Sequence, residues 1–153
     1  MRRQDREITD FDDIVDVFRR SDTVRIGLFG AEYPYVVPLS FGFEVVEGKI
    51  VLYIHGASDG FKHDLIARNN KVCAEVDIFH GYALSERGIT TKYESAIGFG
   101  YAEKVFGDEA MRGMELLLAR CGFDGFEYDR EAPTGGLTVY KIVLESVSCK
   151  SNK

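Results

Sequence analysis

The sequence predicts a mainly β fold, a small closed or split β-barrel of about six strands with three helices placed between or outside them. Three observations predict it. Short segments of alternating apolar and polar residues follow one another with turn residues between them, and closing such a meander removes the edges it would otherwise expose. Pro34 and Pro38 fall inside the alternating segment 33–44, and because proline cannot donate to a sheet ladder, that strand belongs at an edge or rim. Gly98 and Gly100 share one face of a long strand segment, where a barrel corner bends the backbone or another strand approaches closely.

The elements follow in order. Residues 8–20 read as an amphipathic helix with Phe11, Ile14, Val15 and Phe18 on one face. Thr9 or Asp10 is its N-cap, acids fill its first turn, and Arg19 and Arg20 close its last, as the helix dipole favours. Residues 23–29 form the first strand, Gly30-Ala31-Glu32 a turn, and 33–44 the proline-bearing strand. A hairpin turn at Glu47-Gly48-Lys49 leads to a strand over 49–55, then to a short helix over 62–68 that ends at Asn69-Asn70. Strand alternation resumes over 72–79, residues 80–88 read as a polar loop without period, and 93–105 is the long strand. Asp108 is the expected cap of a third helix carrying Met111, Met114, Leu117, Leu118 and Cys121 and ending at Gly122. An acidic irregular loop over 122–136 and a final strand over 137–147 complete the chain.

With 153 residues, 45% of them apolar, the chain is the size of one domain with its own core, so 1–153 is read as a single domain. The net charge of -6 argues against nucleic-acid partners, which need clustered Lys and Arg. Arg2, Arg3 and Arg6 make the only basic cluster, and it reads as a solvated terminus. No apolar stretch reaches the length of a membrane span and the polar N-terminus lacks a signal-peptide core, so the expected location is cytoplasmic, away from membranes. Cys73, Cys121 and Cys149 are odd in number and far apart, which argues against both a disulfide framework and structural zinc. His55, His63 and His80 share no ligand spacing, so no metal is expected.

The segment with most chemistry is the strand ending at His55, followed by Gly56-Ala57-Ser58-Asp59-Gly60 and the start of a helix bearing Lys62. Small residues let backbone N–H groups approach an anion, the helix start adds its positive dipole end, and Lys62 adds a point charge suited to a phosphate. A capped turn with a solvated lysine is the plain alternative, and a lone histidine at a strand end is commonly structural. Tyr33, Tyr35, Phe41, Phe43 and Tyr53 surround this region, either as core or, where one ring stays exposed, as a stacking platform for a flat ligand. No G-x-S-x-G elbow is present, and Gly98-Phe99-Gly100 lacks the third glycine and the following helix of a dinucleotide fingerprint.

The run Tyr33-Pro34-Tyr35-Val36-Val37-Pro38-Leu39-Ser40-Phe41-Gly42-Phe43, with Leu52-Tyr53-Ile54-His55-Gly56-Ala57, Gly60-Phe61-Lys62, Asp64-Leu65-Ile66, Val72-Cys73-Ala74-Glu75-Val76-Asp77 and Tyr93-Glu94-Ser95-Ala96-Ile97-Gly98-Phe99-Gly100, resembles the pyridoxamine 5'-phosphate oxidase-related flavoproteins, and among them the nitroimidazole-resistance branch. The resemblance spans roughly residues 1–120 in order and spacing. It implies a split β-barrel homodimer holding two FMN molecules at the subunit interface. By the same resemblance, Val36, Val37, Pro38 and Leu39 would meet the flavin ring through their main chain. His55, Ala57 and Lys62 would lie along the ribityl phosphate or ring edge, and Ser95 would approach from the long strand, with Lys92 and Tyr93 as further candidates. His55 is the side chain expected to deliver a proton or stabilise reduced flavin. The implied activity is oxidation or reduction of small molecules, nitroaromatics among them. A flavin or small-ligand binder without turnover, or a deazaflavin-dependent enzyme on the same barrel, is the alternative. Two departures stand out: Gly60-Phe61 occupies positions that are basic in true pyridoxamine phosphate oxidases, and the 80–90 loop has no tryptophan.

Overall fold

The structure, a computed structural model, describes residues 3–86, 88–125 and 137–153. One antiparallel sheet forms the body, with strands β1 (Glu7–Ile8), β2 (Val24–Leu28), β3 (Tyr35–Leu39), β4 (Gly42–Val46), β5 (Lys49–Ala57), β6 (Lys71–Ser85), β7 (Gly88–Val105) and β8 (Leu137–Asn152). Helix α1 (Phe11–Arg20) precedes β2, α2 (Phe61–Arg68) joins β5 to β6, and α3 (Gly107–Arg120) follows β7.

Strand order along the sheet is β3-β2-β6-β7-β8-β5-β4, with β1 added to β8. The two end strands, β3 and β4, are consecutive in the chain and joined by Ser40 and Phe41 alone. So short a connector reaches only about 10 Å, which forces the sheet to curl until its edges nearly meet. They do not pair, and the result is a split barrel with flanking helices. Pro38 falls where the sequence puts it: β3 pairs only with β2, and Pro38 stands opposite Arg25 at the free edge, while Pro34 lies just before the strand and not in it.

Alternation fills the barrel. Val24, Ile26 and Leu28 from β2, Ile50, Leu52 and Ile54 from β5, Val72, Ala74 and Val76 from β6, and Ala96 and Ala102 from β7 pack with Ile142 and Leu144 from β8. Helix α1 lays Ile14, Val15, Val17 and Phe18 into the same core, capped by Asp10, whose Oδ1 accepts from the backbone N–H of Asp12 at 2.9 Å and Asp13 at 3.2 Å. The corner expected at Gly98 and Gly100 is present. The β7–β8 register shifts between Phe99 and Gly100, and a Cβ on Gly100 would collide with the Val143 carbonyl.

Several sequence expectations are corrected. The segment 33–44 is two strands, broken at Ser40 so that Phe41 turns into the core. The loop read over 80–88 is instead the projecting end of the β6–β7 hairpin, and the described residues form eight strands rather than about six. This end reaches past the core, so neither face is buried and no alternation marks it as strand. The last strand continues past residue 147 to Asn152, where it pairs with β7 on one side and β1 on the other and buries Cys149. Phe106, not Asp108, is the N-cap of α3, and Asp108 with Glu109 occupies the first turn, still favourable to the dipole. The third helix ends as expected, Gly122 taking φ +80 while Phe123 N–H reaches the Leu118 carbonyl at 2.9 Å in a Schellman closure. The acidic loop over 122–136 lies outside the described residues from 126 onward, as do Arg2 and Arg87.

Candidate functional site

Helix α2 sits beside the seam of the split barrel. It starts where β5 ends, and Phe61 in its first turn packs edge-on against Tyr35 at the start of the free edge strand, ring centroids 5.2 Å apart. Strand β3, the end of β5 and the first turn of α2 therefore form one region at the lip of the barrel. Gly60, with φ +127, allows the sharp entry into the helix.

Within this region two side chains, those of Lys62 and His63, converge on Gly56. Lys62 folds back so that its Nζ donates to the His55 carbonyl at 3.3 Å and stands 2.5 Å from where a Cβ on Gly56 would lie. His63 Nε2 lies 3.4 Å from the same point, and its Nδ1 is 2.9 Å from the Tyr140 hydroxyl, the two rings stacked with centroids 5.5 Å apart. His55 alternates away from core-facing Ile54, and its Nδ1 is buried without a hydrogen-bond partner. An orphaned ring nitrogen of this kind costs free energy unless something fills the space beside it.

The electrostatics agree with the geometry. Burial, and secondarily the Lys62 charge, push the His55 pKa below its ordinary 6.5. Burial alone lowers Lys62, and among the described residues no carboxylate forms an ion pair with it. A half-buried ammonium without a counter-charge, next to an empty acceptor position and a free strand edge, is arranged to receive an anion.

Of the residues singled out from the sequence, Val36, Val37, Pro38 and Leu39 follow Tyr35 along β3, and His55, Ala57 and Lys62 stand where β5 runs into α2, the two groups being linked by the Tyr35–Phe61 ring contact. Val36 and Pro38 face outward while Val37 and Leu39 pack partly against the core. Lys92, Tyr93 and Ser95 are elsewhere in the same chain, on β7, three strand positions from β3 or about 14 Å across the sheet. Ser95 stands opposite Asp77 and Lys150 on the outer face, beside the Arg25–Asp77 ion pair. Of the aromatics, Phe41 and Tyr53 are buried and Tyr35 and Phe43 partly so, leaving Tyr33 as the exposed ring.

Sequence reasoning set His63 aside as exposed or packed against the loop, and passed over Tyr140. The signal for His63 was present, a second nitrogen base immediately after Lys62 in the first turn of the helix; nothing local marked Tyr140, 77 residues away. It also passed over an apolar cleft of about 590 Å³ on the outer face, walled by Phe29, Tyr33, Cys73, Phe99 and Tyr101. Its lining is mainly apolar and includes Glu32, Lys71 and Glu145. Among the described residues no group of His, Cys, Asp and Glu gathers as a metal site, and no helix is long and apolar enough to cross a membrane.

Comparison with known proteins places this arrangement in context. The sequence model of the pyridoxamine 5'-phosphate oxidase family matches residues 10–151. No curated protein matches the sequence. Among solved structures, one from Bacteroides thetaiotaomicron named for 5-nitroimidazole antibiotic resistance superposes with a TM-score of 0.83 at 26% identity, covering 94% of this chain and 85% of that one. The FAD and heme binding protein of Mycobacterium smegmatis gives 0.79 at 20% identity, over 97% of this chain and 74% of its own. A flavocytochrome of Azotobacter vinelandii gives 0.76 at 22% identity, over 100% and 72%. The last two share the fold.

Proposed function

Because the chain belongs to the pyridoxamine 5'-phosphate oxidase family, we propose that it is an FMN-binding oxidoreductase of small molecules, nitroaromatics among them, that acts as a homodimer. The observation that carries this reading is the junction of β5 and α2 around Gly56, where Lys62, which among the described residues has no carboxylate partner, donates to the carbonyl of His55, whose own buried Nδ1 has no hydrogen-bond partner.

These residues fit a flavin mononucleotide. The absence of a Cβ at Gly56 lets the Lys62 amine lie against the strand, from where Nζ would turn from the His55 carbonyl to a phosphate, and the main-chain groups of Val36 to Leu39 on the free edge of β3 would offer hydrogen bonds to a planar ring. When bound, the flavin supplies the electron-transfer chemistry. The chain's part is to hold and tune it. His55, kept neutral at pH 7 by burial and Lys62, has one ring nitrogen free to share a proton at Nδ1. Phe61 spends its side chain on Tyr35 and brings no positive charge, which supports a substrate other than a vitamin B6 phosphate.

Exposed apolar side chains support the dimer. Tyr82, Leu84 and Ile89 on the projecting hairpin are 74%, 87% and 78% exposed, and Val36 and Phe99 on the outer sheet face add to them. Apolar surface of this extent marks an interaction face. A second copy placed there supplies Tyr93 and Ser95 to a flavin held at the first copy's seam.

The test is the visible absorbance spectrum of the purified protein, followed by heat release and identification of any chromophore. A flavin spectrum that bleaches with NADH or NADPH and recovers on adding a nitroaromatic is the expected result. A colourless protein that binds no added FMN overturns the reading.

A further inference from the structure

We propose that His63, with its tautomer set by Tyr140, is a second phosphate-binding residue that makes this site select a phosphorylated flavin over the unphosphorylated one. The inference rests on the flavin reading above and names the residue that gives it specificity.

His63 Nε2 and Lys62 Nζ lie 3.4 Å and 2.5 Å from the same point over Gly56. They are thus no more than about 6 Å apart, a gap that one phosphate group bridges through charge-assisted bonds of about 2.8 Å at each end. One ammonium is a point charge without directional preference, and a second donor converts it into a two-point clamp. The residue before Lys62 contributes no such donor, because Phe61 is committed to Tyr35.

Tyr140 decides which nitrogen of His63 faces Gly56. A neutral imidazole has one donor and one acceptor, and the tautomer we assign has the Tyr140 hydroxyl donating to Nδ1, which leaves the proton on Nε2, 3.4 Å from where a Cβ on Gly56 would lie. Tyr140 is itself 5% exposed and packed in the barrel core, so the ring it supports cannot drift. The charged groups facing His63 are Lys62 and Asp64 on its own helix, Asp59 in the turn before it and Lys104 on β7. Burial and the two lysines outweigh the two aspartates and hold the imidazole below its ordinary pKa, so at neutral pH it is a neutral donor through Nε2–H. A neutral donor also avoids placing a second full charge beside Lys62 in the absence of ligand.

The experiment compares FMN with riboflavin, which has the same ring and ribityl chain without the phosphate, by fluorescence titration of wild type, His63→Leu, His63→Gln and Tyr140→Phe. The expected result is a loss of roughly tenfold in FMN affinity for His63→Leu with riboflavin affinity unchanged. Glutamine, whose amide nitrogen reaches a similar position, recovers most of the FMN preference. Tyr140→Phe loses part of it, since the freed imidazole redistributes its proton between the two nitrogens. If His63→Leu keeps the FMN-to-riboflavin ratio of the wild type, or weakens both flavins alike through packing, the inference falls and the flavin reading stands. If the wild-type chain binds neither flavin, both fall together.

Discussion

Arg20 at the end of α1 and Glu94 on β7 meet in a two-armed ion pair, 2.8 Å at each arm, across 74 residues of sequence. The Glu94 side chain is 1% exposed and its oxygens also receive His80 Nε2 at 2.7 Å and Lys153 Nζ at 2.6 Å. His80 reaches it because the β6–β7 register shifts between Phe79 and Gly81, which leaves His80 as the bulged residue. One carboxylate thus ties the first helix, the long hairpin and the C-terminal strand together, next to Tyr93 and Ser95.

Stability should therefore fall with acid in a specific window. Arg20 first, with help from Lys153 and His80 and against the opposing effect of burial, holds the Glu94 carboxyl at a pKa of about 2, below its ordinary 4.5. The unfolded chain takes up that proton first, so the stabilisation is complete above about pH 4.5 and is lost as pH falls toward about 2. Its size is on the order of 3 kcal/mol. Urea unfolding across this range should show that slope in the wild type and a flatter one in Glu94→Gln; equal slopes would sink the assignment.

Lys62→Ala should separate binding from stability. Removing the phosphate partner weakens FMN binding by roughly 1–3 kcal/mol. Burial already lowers the pKa of this amine and among the described residues no ion pair holds it, so the melting temperature of the ligand-free protein should not drop. A variant that melts earlier yet binds FMN as well as wild type contradicts both halves.

Two glycines offer a contrast. A Cβ at Gly56 meets the end of the Lys62 side chain, Nζ at 2.5 Å and Cε at 3.2 Å, which is free to swing away. Gly56→Ala should fold normally and lose FMN affinity by displacing the Lys62 amine. At Gly113 the added Cβ meets Tyr53 ring and Cβ atoms at 2.5, 2.8 and 3.0 Å, where α3 packs on β5. Gly113→Ala should cost about 1–3 kcal/mol of stability through overpacking, with little effect around Gly56, 57 positions earlier in the chain. Denaturant midpoints and flavin titrations on the two variants read both outcomes.

His55 should titrate below its ordinary 6.5 in the ligand-free protein, because burial and then Lys62 disfavour the imidazolium. Lys62→Ala removes the second cause, and the midpoint should rise. Ring-proton chemical shifts followed against pH measure both; a midpoint that ignores Lys62 would show that the two groups are not coupled.

The hairpin prediction concerns assembly. Leu84→Glu with Ile89→Glu places charges on side chains that are 87% and 78% exposed in one chain, so the isolated fold should tolerate them. Sedimentation should show a dimer for the wild type and a monomer for the double variant. A wild-type monomer at working concentration removes the dimer from the proposed function.

Much of the fold was legible because it rests on local rules. Asp10 caps α1 where acids and apolar spacing say it should, Gly122 ends α3 through its left-handed backbone, and Pro38 confines β3 to an edge. Family likeness carried Lys62 and His55 to the seam of the barrel. The hairpin beyond Phe79 was not legible, because strands that project past a core bury neither face and lose the period that marks a strand.

The sequence by itself determined the three helices and the core-lining stretches of most strands, where proline forces an edge, and that a lysine follows a glycine-rich turn. Those properties depend on residues a few positions apart. Only the tertiary structure decided that β3 and β4 face each other across an unpaired seam, that Glu94 is buried among Arg20, His80 and Lys153, and that His63 leans on Tyr140 above Gly56. Each of these joins positions far apart in the chain, and their partners are chosen by how the sheet curls, which no local pattern of charge or hydrophobicity encodes.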